Sequence, residues 1–124
     1  MVAYNFQPIF AKPVEIGRKR QTIRAHRKDG RHAKRGDALQ LYTGMRTKAC
    51  RKLRDATCTA TIPVRIEAQR LTVGNTDLRA IGIAGDEMLM DIFAQADGFI
   101  DWQDMRDWFQ KTHGLPFSGV LIKW

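Results

Sequence analysis

Ile16-Gly17-Arg18-Lys19-Arg20-Gln21-Thr22-Ile23-Arg24, followed by Gly36-Asp37-Ala38-Leu39-Gln40-Leu41, decides how this chain is read. Gln21 to Arg24 reads as a short strand. Gly36-Asp37 is a turn signal, and Ala38 to Thr43 alternates like a strand with one buried face before ending at Gly44. Asp29-Gly30 marks another turn between them. Working outward, Tyr4, Phe6, Ile9 and Phe10 make an apolar opening in which Pro8 should break any long element. Val14 to Gly17 is expected to form one helical turn stopped by Gly17. Thr57 to Val73 is rich in β-branched residues. Val64, Ile66 and Ala68, then Leu71 and Val73 after a phase slip, predict one or two strands with a bulge before a turn at Gly74-Asn75.

The C-terminal third changes period. Met88, Leu89, Ile92, Phe93 and Ala96 recur at helical spacing, with Asp86 as the expected N-cap and Gly98 after the end. A second helix is expected from Asp101 to about His113, with Trp102, Met105, Trp108 and Phe109 as its apolar stripe and Gly114 and Pro116 as its stop. Such a stripe is more often core than binding surface. Val120-Leu121-Ile122 with Trp124 reads as a closing strand. Helices do not alternate with strands, so the expected class is α+β: a small mixed barrel of five or six strands with two or three flanking helices, in one domain over 1–124.

Charge is the next signal. The 124 residues carry 21 Lys plus Arg against 13 Asp plus Glu, a formal net charge of +8. Residues 1–55 hold 15 of the basic residues and four acids, a net of +11, whereas residues 56–124 hold six and nine, a net of −3. Arg18, Lys19, Arg20, Arg24, Arg27, Lys28, Arg31, Lys34 and Arg35 form the densest run, with Asp29 the only acid among them. A solvated loop would explain such a run. Three features favour phosphate contact instead: the preponderance of Arg, the interleaved His26 and His32, and a position between two regular segments. At 44% hydrophobic the chain is not a disordered polycation. No apolar run reaches the ~20 residues needed to cross a bilayer. Met1 to Pro13 lacks the pattern of a secretory signal. A cytoplasmic protein with reduced thiols is the expectation, with no membrane association and no obligate protein partner evident.

Metal chemistry has little support. Cys50 and Cys58 have neither CxxC spacing nor a nearby His pair, and both read as small core residues. No P-loop frame is present, and no cofactor is expected. Asp37 is explained by its turn. Gly17 to Arg24 differs in placing Lys19, Thr22 and Arg24 within six residues. A hydroxyl needs a base to become a nucleophile, and a lysine can serve only when burial or nearby cations lower its pKa. On a regular strand Lys19 and Thr22 would face opposite ways, so they converge only if the chain bends between them.

These residues resemble the ASCH domain, a PUA-like family. Its usual pattern is an apolar residue, G-x-K-x-x-T-x-R, a spacer, then G-D before a strand. Ala96-Asp97-Gly98-Phe99 before a helix and the strand at Gly119 to Trp124 are also similar, so the resemblance spans roughly residues 4–124. It implies a PUA-like β-barrel with a cleft on one side and a link to RNA. One branch hydrolyses the acetyl amide of N4-acetylcytidine with a Lys, a Thr and a Glu, and other relatives are described as ribonucleases. By position the Lys would be Lys19 and the Thr would be Thr22. The acid would be Asp97, one methylene shorter than the family's Glu.

Two functional classes follow. In the first, the protein is an amidohydrolase with Thr22 as nucleophile or water-positioning group, Lys19 as base and Asp97 as its partner. In the second, a cleft beside the basic edge binds RNA or a modified nucleoside without chemistry. A helix-turn-helix DNA binder is the weakest alternative, because the basic run lacks helical periodicity and the two expected helices are acidic.

Overall fold

The structure, a computed structural model, describes residues 1–81 and 87–124. Its elements in order are β1 (Val2–Phe6), α1 (Pro8–Glu15), β2 (Gln21–Ala25), β3 (Ala38–Thr43), β4 (Arg51–Thr57), β5 (Ala60–Glu67), β6 (Arg70–Val73), β7 (Thr76–Asp77), α2 (Leu78–Ile81), α3 (Met88–Ala96), α4 (Trp102–Thr112) and β8 (Phe117–Lys123). The class is α+β. Eight strands are present among the described residues, more than the five or six expected, and they form two sheets rather than one closed barrel. The three-stranded sheet has the order β1-β3-β4, and the five-stranded sheet β2-β8-β5-β6-β7. No helix among the described residues is long and apolar enough to cross a membrane.

The extra strands have identifiable causes. Arg51–Thr57 becomes β4 although it reads as polar, because it sits at a sheet edge with only Leu53 fully buried. The stretch read as one or two strands with a bulge is a pair of antiparallel strands, β5 and β6, with Glu67 opposite Arg70. The phase slip is the tight turn at residues 68–69. Gly74-Asn75 then turns the chain into the two-residue β7.

Pro8 starts a helix instead of breaking one. It occupies the first turn of α1, where its missing N–H has no intrahelical partner to lose. The helix is thus longer than the single turn expected at Val14 to Gly17. Phe10, Ala11 and Val14 are its buried face. Gly17 follows with φ +80, and the Pro13 carbonyl accepts from both Arg18 N and Lys19 N at 2.9 Å. That turn bends the chain just before β2.

At the C-terminal end, α4 is capped as expected: the Asp101 carboxylate accepts from Asp104 N at 2.8 Å. Helix α3 has the expected period but buries a different face. Met90 and Ala94 are fully buried, while Met88 and Ile92 are more than half exposed. The expected cap, Asp86, lies outside the described residues. Cys58 is buried, but Cys50 is exposed in the turn before β4, a correction to its expected core position.

The buried side chains of both sheets and of α1, α3 and α4 form one cluster. Strands β1 and β2 lie at the ends of their sheets. Side chains span the gap between them: Arg24 Nη2 donates to Asn5 O at 2.7 Å, and Arg27 Nη2 donates to Ala3 O at 3.3 Å. Residues two apart on a strand present their carbonyls on the same edge. The arginines of the β2 side thus clasp the outer edge of β1.

Candidate functional site

The bend after Gly17 resolves the geometric objection to Lys19 and Thr22. Lys19 lies in the turn ahead of β2, not on the strand, so strand alternation does not oppose the two side chains. Both line a cleft of about 310 Å³ together with Arg24 and Asp97. Thr22 and Arg24, two apart on β2, share a face, and Arg24 Nε donates to Thr22 Oγ1 at 3.0 Å.

Asp97 arrives from the other end of the chain. It follows Met90 and Ala94 at helical spacing, so the stripe that buries those residues also turns Asp97 inward. Lys19 and Asp97 are each only 3% exposed. Lys19 Nζ donates to the Asp97 carbonyl and lies 3.5 Å from its carboxylate Oδ1. Gln21 Nε2 donates to the same Oδ1 at 3.3 Å. Lys19 Nζ also lies 5.0 Å from the centre of the Phe10 ring.

Burial dominates the electrostatics. It pulls the Lys19 ammonium below the ordinary lysine value, against the opposing pull of the Asp97 charge. It pushes the Asp97 carboxyl up, against the charge of Lys19 and the hydrogen bond from Gln21. Both shifts favour the neutral amine and neutral acid, the forms that a low dielectric prefers. Burial also lowers Arg24 to about 10.

Much of the remaining lining is aromatic. Phe10, Phe99, Trp108 and Phe109 supply it, with ring centroids 5.7 Å apart for Phe99 and Trp108 and 5.0 Å for Trp108 and Phe109. Asn5, Thr112 and His113 add polar groups at the rim. The cleft therefore brings aromatic rings, packed edge-to-face and tilted, together with amine, hydroxyl, guanidinium and carboxyl groups. That combination suits a planar heterocycle carrying a polar substituent.

No family model, curated protein or solved structure matches this chain.

The remaining basic residues divide. Arg27, Arg31 and Lys34 line a second cavity of about 700 Å³ with His32, Asp29 and Asp37. Arg18 lies on the far side of Lys19, near Gln95 and Gly98. Arg20, Lys28 and Arg35 are exposed and line neither the cleft nor that cavity. Residues of the charged run thus line several hollows rather than a single one. Among the described residues, no cluster of His, Cys, Asp and Glu could hold a metal ion.

Sequence reasoning did not single out the aromatic lining or Gln21. Trp108 belongs to the apolar stripe expected for α4, but Trp102, Met105 and Phe109 are its buried members and Trp108 is only half-buried. Its spacing held the signal: Trp102, Met105 and Phe109 follow the i, i+3, i+7 pattern, and Trp108 flanks it.

Proposed function

We propose that this chain is a PUA-like ASCH protein whose cleft binds a modified cytidine nucleoside, free or within RNA, and hydrolyses its N-acyl amide. The observation that carries the reading is the buried Lys19–Asp97 pair in one cleft with Thr22 and several aromatic rings. On this reading the two sheets are the halves of an interrupted PUA-like barrel. The base stacks on one of these rings, and its acyl group reaches Thr22.

Burial favours the neutral Lys19 amine, the form that can act as a base. The neutral Lys19 amine takes the Thr22 hydroxyl proton as Oγ1 adds to the acyl carbon. Arg24, already donating to Oγ1, stabilises negative charge as it develops. The C–N bond then breaks, and the leaving amine takes a proton from Lys19. Water hydrolyses the acyl-threonine ester, releasing a carboxylic acid and restoring the hydroxyl. Asp97 holds the Lys19 amine in place through its carbonyl and carboxyl oxygens.

The test is incubation of the purified protein with N4-acetylcytidine, followed by quantification of cytidine and acetate. Wild-type protein is expected to turn the nucleoside over, and Thr22→Ala to lower the rate at least ~100-fold with unchanged folding. No turnover by the wild type refutes the hydrolase. A second reading, binding without chemistry, has its own observation: among the described residues no hydrogen bond joins Lys19 to Thr22, whose oxygen accepts from Arg24. On that reading the nucleoside binds and is recovered intact.

A further inference from the structure

The basic residues of this chain are not all paired. At the cleft Lys19 lies beside the Asp97 carboxylate, and elsewhere Arg51, Lys52, Arg65, Arg70 and Arg106 each meet a carboxylate. Among the described residues no ion pair engages Arg27, Arg31 or Lys34, although Asp29 and Asp37 line the same cavity. Those two acids are committed to the backbone. Asp29 Oδ1 accepts from Arg31 N at 2.9 Å, and Asp37 Oδ2 from Lys34 N at 2.8 Å. They shape the turns and leave the three cations facing solvent.

The basin lies beside the cleft. Arg24 lines the cleft and Arg27 lines the basin. Their guanidinium carbons lie 5.2 and 5.0 Å from the centre of the same Tyr4 ring. Arg27 is braced, donating to Arg31 O at 3.2 Å and to Ala3 O at 3.3 Å. A guanidinium held by two carbonyls keeps its other N–H donors free and in a fixed orientation, a good arrangement for a phosphate.

We infer that the cleft's ligand is one nucleotide of a single-stranded nucleic acid, with a neighbouring phosphate held in the basin of Arg27, Arg31 and Lys34. The inference rests on the nucleoside reading of the cleft and names the substrate class for it. A free nucleoside would have no use for the basin. A duplex could not place a base in a cleft of about 310 Å³ without unstacking it, whereas a single strand offers splayed bases.

The experiment measures binding of three probes to the full chain: N4-acetylcytidine, a short single-stranded RNA containing that nucleoside, and poly-glutamate as competitor. The RNA is expected to bind the wild type at least ~10-fold more tightly than the nucleoside at about 50 mM salt. Arg31→Gln/Lys34→Gln should remove most of that gain. It should also flatten the log–log salt dependence by about 0.7, the contribution of one phosphate contact on a single strand. The charge-matched control Lys52→Gln/Arg70→Gln should keep both. RNA binding no tighter than nucleoside binding overturns the inference, as does a double variant indistinguishable from wild type. Poly-glutamate competing as well as the RNA also overturns it, in favour of an acidic protein partner. If the wild type ignores the nucleoside while RNA binding still depends on Arg31 and Lys34, the basin stands and the reading of the cleft is what fails.

Discussion

Gly98 follows Asp97 with φ +98, and a Cβ there would lie 3.1 Å from Phe10 Cδ1 and 3.2 Å from Lys19 Cδ. The missing side chain lets the lysine stem pass between α3 and α1 to reach the Asp97 carbonyl. Gly98→Ala adds both a strained backbone and a contact on that stem, so it should destabilise the fold by about 1–3 kcal/mol. A urea transition at a lower midpoint with unchanged slope is the expected result. The buried pair makes a second prediction. Lys19 titrates below 10.5 because it is buried, and the Asp97 charge resists that fall. Asp97→Asn removes the resistance, so the Lys19 pKa should drop further. Lysine-labelled NMR titration reads it directly, and an unchanged or higher pKa contradicts this account of the pair. Lys19 and Thr22 were legible in the sequence as a candidate pair. Their convergence was not, because it depends on two amide hydrogen bonds to the Pro13 carbonyl that no local pattern encodes.

At the scale of elements, the arginine clasp is the feature with measurable consequences. Arg24 links Thr22 of its own strand to Asn5 of β1 through separate nitrogens of one planar fork. Lysine keeps the charge but cannot span both acceptors. Arg24→Lys should therefore cost about 1–3 kcal/mol and speed amide hydrogen exchange in β1 more than in β5 or β8. Equal protection in all three strands would mean that the clasp contributes nothing to holding β1. Elements with a turn at each end were readable in advance. Ala38–Thr43 lies between Gly36-Asp37 and Gly44 and appears at the expected bounds. Helix α3 shows the limit of such reading. Its apolar residues outnumber the positions its neighbours can cover, so the tertiary partners select the face, leaving Met88 and Ile92 outside. β4 was not readable, because a sheet edge asks little hydrophobicity of its strand.

Taken as a whole, the molecule has one core, and that predicts its unfolding. Both sheets contribute to the same buried cluster, with Leu39 and Leu41 from one and Ile66, Leu71 and Leu121 from the other. Neither sheet has a separate interior to retain. Urea unfolding followed by the fluorescence of Trp102, Trp108 and Trp124 should coincide with unfolding followed by backbone circular dichroism. Two separate transitions would show that the sheets fold independently. The α+β class was legible from the change of period along the chain, and so was the surplus of positive charge in its first half. The division of that charge into bare and committed residues was not. It depends on where Asp29 and Asp37 aim their carboxylates, which only the folded turns decide.

The clasp also bears on whether the protein stays in solution. β1 and β2 each end a sheet, and an uncovered strand edge is a template on which another chain can add a strand. Here guanidinium groups occupy the Ala3 and Asn5 carbonyls, covering the β1 edge with charge. Neutral, short replacements at Arg24 and Arg27 would uncover those carbonyls and remove the repulsion between copies. Arg24, which lines the cleft, and Arg27, which lines the basin, therefore also cover a strand edge on which another chain could add.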